Sequence, residues 1–271
     1  MRLLTALLLA LAPITVVAGD GLAADGVARF AAHRPDGERR VDHGAFATFL
    51  ERYRVAGADG IARVRYADVA GTDAAALDAY LARLGEVDVT ALDRDEQLAF
   101  WLNLFNALVV DVVLAHYPVA SLRDIDLDPR AAVHGPWTAA EFEVDGVALS
   151  LAAIEDDILF AYWRDPRLHY ALHRGSLGCP NLPAVPFTGA GIDARLDAAA
   201  MAYVNHPRGV AVEGDELVVS SLYRWFQDDF GGSERAVLRH LMAFAEPARA
   251  MALQRFDAID RDRYDWRLND R

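Results

Sequence analysis

The chain has 271 residues, 54% of them hydrophobic and 25% charged, a composition that folds around a core and is not that of a disordered chain. Its formal net charge of -13 repels phosphate backbones and anionic lipid surfaces, so neither a nucleic acid nor a membrane surface is an expected partner. All 27 basic residues are Arg, which excludes Schiff-base chemistry and a P-loop lysine.

At the N-terminus Arg2 precedes an apolar run, Leu3 to Val17, broken only by Thr5, Pro13 and Thr15. The run is shorter than the roughly 20 residues of a spanning helix. With small residues at Val16-Val17-Ala18 and Leu22-Ala23-Ala24, it predicts a signal peptide over 1–24, removed on export to the periplasm or the medium. No Cys follows it, so no lipid anchor is predicted, and no stable membrane insertion is expected after cleavage. The rest, 25–271, has no Pro/Gly/Ser linker and reads as a single domain.

Phe30, Phe46, Phe49, Leu50 and Tyr53 fall near helical spacing around a turn at Arg34-Pro35-Asp36-Gly37, and Ala74 to Leu84 reads as a helix. The strongest helix is Asp93 to Tyr117, apolar over a wide face and therefore central. Asp93 and Glu96 have the spacing of a capping box, and Pro118 ends the segment. Within it, Asn103 and Asn106 lie three apart beside Trp101. Buried Asn needs hydrogen-bond partners. Two uses stand equal: the pair holds a neighbouring loop, or, with Trp101, it lines a site and binds substrate or an oxyanion.

Phe142 to Leu149 alternates around Asp145-Gly146, a hairpin signal, after which Ser150 caps a helix to about Trp163 carrying Glu155 near its apolar stripe. Leu168 to Leu172 reads as a short buried strand, which places His169 and His173 on one face if the strand continues to 173. An irregular segment, Arg174 to Pro186, follows. Ile192 to Asn205 is predicted helical, Val210 to Val219 a hairpin, Leu222 to Phe230 a short aromatic helix, and Ser233 to Phe244 a capped helix. The tail, Phe256 to Asn269, is predicted extended. Short hairpin-linked strands among helices favour α+β: a helix-rich domain with a small antiparallel sheet.

The chemistry-bearing residue in this order is Cys179, the single cysteine, in Gly175-Ser176-Leu177-Gly178-Cys179-Pro180. A Gly- and Pro-bounded loop can expose a thiol and aim successive backbone N–H groups at one point, as a nucleophile with an oxyanion pocket requires. The opposing reading is an inert buried thiol, since free Cys is among the most buried residue types. His169 is the first candidate base and His173 the second; Glu155 is the candidate orienting acid, against the ordinary preference of acidic residues for a helix N-terminus. Arg174 suits a substrate carboxylate. One Cys makes no zinc cluster, and two His on a strand make a metal site unexpected, so neither metal nor cofactor is predicted.

Several separated segments, Ala99 to Leu108, Leu151 to Leu159, Asp165 to Leu172, Gly178-Cys179-Pro180, Leu222 to Phe226 and Tyr264 to Asn269, together resemble the domain-of-unknown-function family 547. The resemblance covers about residue 95 to the C-terminus. It implies a papain- or transglutaminase-like cysteine hydrolase fold with Cys179 as nucleophile, His169 as base and Glu155 as orienter, and loosely a glutathione-like ligand. The chain departs from the family pattern at Asp156, where many members have His, and at His173 and Arg174. The resulting expectation is an exported cysteine-dependent hydrolase or acyltransferase acting on amide or thioester bonds of a small peptide. Substrate contacts are expected from Asn103, Asn106, Trp101, Ser176, Arg174 and His173. The alternative is a non-catalytic binding protein for a thiol peptide.

Overall fold

The computed structural model describes residues 26–127 and 135–271; the expected signal peptide lies outside the described residues. The architecture is helix-rich α+β. Helices α1 (Gly44–Tyr53) and α2 (Gly71–Gly85) are joined through the hairpin β1–β2 (Arg54–Ala56, Ala62–Val64), which the sequence reading did not anticipate. Helix α3 (Arg94–His116) follows. Nearly every side chain from Glu96 to Val110 on α3 is buried, the signature of a helix surrounded on all sides. By length and composition α3 could cross a membrane, but most of it is enclosed by the rest of the molecule.

Asp93 caps α3, its carboxylate accepting from Glu96 N at 2.8 Å. The predicted capping box closes only halfway. Glu96 does not reach back; its two oxygens accept from Val41 N (2.8 Å) and Gly189 N (3.0 Å), tying α3 to distant segments.

The hairpin β3–β4 (Phe142–Val144, Val147–Leu149) turns at Asp145 and Gly146, both at positive φ (48° and 77°), as a two-residue turn requires. The helix after Ser150 forms, but over Ala153–Phe160 it is a π-helix, continuing as α4 (Ala161–Trp163). The predicted strand at 168–172 is instead one helical turn, α5 (Leu168–Ala171), leaving the helix at Leu172. A short apolar run carries no periodicity that separates strand from helix.

Beyond the Cys179 loop come α6 (Ile192–Val204), the hairpin β5–β6 (Val210–Glu213, Glu216–Ser220), α7 (Leu222–Trp225), α8 (Glu234–Phe244) and α9 (Pro247–Leu253). Strand β7 (Arg261–Arg263) pairs parallel to β6. The described sheets are therefore three small ones, antiparallel except for this pair.

Buried apolar residues form two clusters. One surrounds α3. The other joins Tyr203, Val219, Tyr223, Val237 and Leu241. Helix α5 straddles them: Leu168, Ala171 and Leu172 belong to the first and Tyr170 to the second. The segment leading to Cys179 thus runs along the seam.

Candidate functional site

Three polar side chains on α3 at spacings of seven and three, hence on one face, grip the segment that contains Cys179. Glu96 holds Gly189. Asn103 donates to Phe187 O and accepts from Phe187 N, both at 2.8 Å. Asn106 donates to Ala171 O at 2.9 Å and accepts from His173 N at 2.8 Å. Both Asn are fully buried with their amides committed to backbone. The loop-holding use is the one realised, and the expected substrate contacts from Asn103 and Asn106 are not available. Trp101 is also fully buried, edge-on to Phe30 and Phe100 with ring centroids 5.0 and 4.9 Å away; it is core, not a site wall.

Two glycines make the loop geometry possible. Gly175 has φ 65°, where an L side chain is strained, and a Cβ there would meet Leu122 Cδ1 at 2.4 Å. A Cβ on Gly178 would meet Asp265 N at 2.6 Å. This close approach lets the C-terminal tail pair with the loop: Leu177 N donates to Arg267 O and Gly178 N to Asp265 O, each at 2.8 Å, and Asn269 N to Gly175 O at 3.1 Å. Those pairings occupy the N–H groups of residues 177 and 178, two of the successive loop donors expected to face an oxyanion. Cys179 N–H makes a long contact with Ser176 O, 3.4 Å. Ser176 is buried, its hydroxyl 2.8 Å from that of Tyr264.

The imidazole beside the sulfur belongs to His173, not His169. His173 Nδ1 is 3.1 Å from Cys179 Sγ and 2.9 Å from Pro180 O. A carbonyl only accepts, so Nδ1 carries a proton and points it at both partners. Arg174 N–H also donates to Sγ, at 3.3 Å, while Ser176 O and Pro180 O lie 3.0 and 3.3 Å from the sulfur. Burial pushes the thiol pKa up. The His173 charge and hydrogen bond, then the Arg208 charge, outweigh it and bring the pKa down to about 6. Burial likewise pushes His173 down, and the Cys179 charge and hydrogen bond, Pro180 O and the Asn269 side chain together raise it. Both shifts favour the charged pair, thiolate and imidazolium. The sulfur is fully buried, so a reacting molecule must displace part of the surrounding wall.

His169 sits elsewhere. Its Nε2 is 2.9 Å from Asp229 Oδ2 and its ring lies between Phe160 and Phe226, centroids 4.1 and 4.3 Å away. Arg174 Nη2 lies 3.4 Å from His169 Nδ1, which must therefore accept, so Nε2 carries the proton. Burial, the largest cause, lowers its pKa. Glu155, on the π-helix, pairs with the guanidinium of Arg174 and with no imidazole among the described residues. The same guanidinium lies over the Phe226 ring, 5.1 Å from its centroid. The expected His169–Glu155 relay to Cys179 is replaced by a Glu155–Arg174–His169–Asp229 chain, buried except at Asp229, and Arg174 is spent there, not free for a substrate carboxylate. Helix exit at Leu172 explains the exchange: it turns His173 toward the loop while His169 stays among the aromatics.

One further residue was missed. Asn269 is fully buried, and its Oδ1 accepts from Tyr66 OH at 3.1 Å. The β-bridges of the tail, Ser176 with Leu268 and Val64 with Asp270, fix its place. No composition or periodicity signal marks a tail Asn as part of a site assembled by long-range pairing.

Residues 89–204 match the family model described as Protein of unknown function, DUF547. No curated protein and no solved structure matches the chain. The matched stretch contains Glu155, His169, His173 and Cys179, and ends before Asn269.

Proposed function

We propose, for a chain whose residues 89–204 match a family without a described activity, that it is an exported cysteine-dependent hydrolase or acyltransferase acting on amide or thioester bonds of a small peptide. The observation that carries this reading is the 3.1 Å contact between His173 Nδ1 and Cys179 Sγ, with the thiol pKa brought down to about 6. A low-pKa thiol beside an imidazolium is the activated form of a cysteine nucleophile. The thiolate attacks the carbonyl carbon, forming a C–S bond and an oxyanion to which Cys179 N–H can donate. The intermediate collapses by breaking the C–N or C–S bond of the substrate, and the leaving group takes the proton of His173 Nδ1. Water, or an acceptor amine, then attacks the thioester with His173 as base, releasing the acyl group and restoring the thiolate. Cys179, His173 and Asn269 together resemble the Cys–His–Asn grouping of papain-like enzymes. A glutathione-like peptide is within the substrate class.

The complete burial of Sγ favours a second reading, a non-catalytic binding protein for a thiol peptide. Iodoacetamide alkylation across pH separates the two. The catalytic reading expects the rate to rise through about pH 6 and then level off, and His173→Ala to move that rise above the free-thiol range of about 8.5. A wild-type profile that rises only near the free-thiol value sinks it.

A further inference from the structure

Beside the Cys179 loop lies a cleft of about 710 Å³, with Leu177 and Gly178 in its wall. Four arginines line it, Arg63, Arg208, Arg263 and Arg267, against Asp59 and Asp265, a cationic hollow in a chain of net charge -13. Three of the four are neutralised locally: Arg63 by Asp59 (2.6 Å), Arg263 by Glu213 (2.5 Å) and Arg267 by Asp265 (2.5 Å). Arg208 has no carboxylate partner among the described residues. Its Nη1 and Nη2 donate to Leu177 O (3.0 Å) and Asn181 Oδ1 (2.7 Å), while its Nε is buried without any acceptor. Burial lowers its pKa, with the Cys179 charge acting in the opposite sense. Arg208 is thus a desolvated cation that borders both the cleft and the sulfur's field. Tyr264 and Trp266 supply an aromatic wall, rings 4.6 Å apart.

We propose that this cleft is the approach to Cys179 and that Arg208 holds the carboxylate of an acidic peptide or acyl substrate next to the bond that is cleaved. The assignment rests on the cysteine-hydrolase reading for the cleavage, and on a guanidinium without a carboxylate among the described residues for the anion. It moves the carboxylate contact from Arg174, which Glu155 neutralises, to a cation that no acidic side chain among the described residues meets. A guanidinium with an unused N–H matches a carboxylate oxygen in both charge and geometry.

Two alkylating reagents of similar size test it, iodoacetate and iodoacetamide. Both consume the same thiolate, so the ratio of their rates does not depend on the thiol pKa. The expected result is a wild-type ratio above one that falls by about tenfold in Arg208→Met, with Arg208→Lys in between. A wild-type ratio below one, or one that Arg208→Met leaves unchanged, overturns the proposal. Should Arg208→Met fail to fold, protection of wild-type Cys179 from iodoacetamide decides: propionate must protect and propionamide must not. A thiol that reacts with neither reagent sinks the catalytic reading alone. The cleft then stands or falls on equilibrium titration of Cys179→Ser protein with N-acetyl-diglycine and its amide. Tighter binding of the carboxylate supports it; equal or undetectable binding of both overturns it.

Discussion

The Asn269 side chain raises the pKa of His173, yet His173 Nε2 and Asn269 Nδ2 are both buried without a hydrogen-bond partner. The amide oxygen of Asn269 accepts from Tyr66 OH. Rotated by half a turn, the amide offers Oδ1 to the imidazolium Nε2–H and Nδ2 to the Tyr66 oxygen, and all three groups are satisfied. The charged ring therefore calls for one amide orientation and the neutral ring for the other.

Removing that amide withdraws support from the imidazolium and hence from the thiolate. Asn269→Ala is expected to lower the His173 pKa and to raise that of Cys179. One hydrogen bond of about 1 kcal/mol corresponds to a loss of roughly threefold to fivefold in alkylation rate near pH 6. Near pH 9, where the thiol is ionised in both proteins, the rates converge. A deficit of equal size at both pH values would show instead a general disturbance of the loop.

The two histidines separate by substitution with Phe. His169 is neutral, stacked on Phe160 and Phe226, and bonded to Asp229. Phe in its place keeps the ring stacking and loses the hydrogen bonds to Asp229 and from Arg174, at about 1–3 kcal/mol of stability. Thiol alkylation in His169→Phe is expected to stay within about twofold of wild type, whereas His173→Phe loses the low-pH limb. Stopped-flow or mass-spectrometric alkylation rates check this. A collapse of reactivity in His169→Phe with His173→Phe intact would restore His169 as the base.

How much of this was readable in the residues alone depends on the range of the interaction. Helix α3, its Asp93 cap and the Asp145-Gly146 hairpin follow from local spacing and turn chemistry, and they formed as read. Glu96 has the right capping-box spacing but is claimed by Val41 and Gly189, far away in the chain. Leu168 to Leu172 fits strand and helix equally; a strand puts His169 and His173 on one face, and only the helical turn that ends at Leu172 separates them. Arg174 looked like a free cation because its partner Glu155 lies 19 residues earlier. Arg208 and Asn269 reach the Cys179–His173 pair only through tertiary pairing of the tail and the β5–β6 region, which no window of sequence displays.

Asn106 tests the claim that α3 positions the site. It satisfies Ala171 O and His173 N at once, so Asn106→Ala leaves both buried and unpaired. With about 1–3 kcal/mol for each such group, the expected destabilisation is about 3 kcal/mol, read by urea unfolding. Because one freed group is the backbone of His173, the surviving folded protein should also show a raised thiol pKa. Asn103→Ala, which frees Phe187 on the far side of the loop, should destabilise similarly while leaving that pKa nearer wild type. Equal pKa effects from the two variants would argue against a specific hold on His173.

Asp156 stands beside Glu155 on the π-helix. Burial, and then Glu155 and Asp157, raise its pKa to about 6, with Arg174 opposing. A carboxylate whose folded pKa exceeds its unfolded value near 4 binds its proton more tightly when folded. Stability is then highest with the group protonated, and falls as pH rises from about 4 through about 6. Asp156→Asn mimics the protonated form at every pH. The variant and wild type should melt together near pH 4, diverge between pH 4 and 6, and keep a constant gap above, the variant being more stable. The side chain is exposed, so solvent screening holds the gap to about 1 kcal/mol. Thermal unfolding at several pH values measures it. A gap of the opposite sign, or one already present at pH 4, would mean that the π-helix tolerates the ionised Asp156 and that crowding by Glu155 and Asp157 is relieved by solvent.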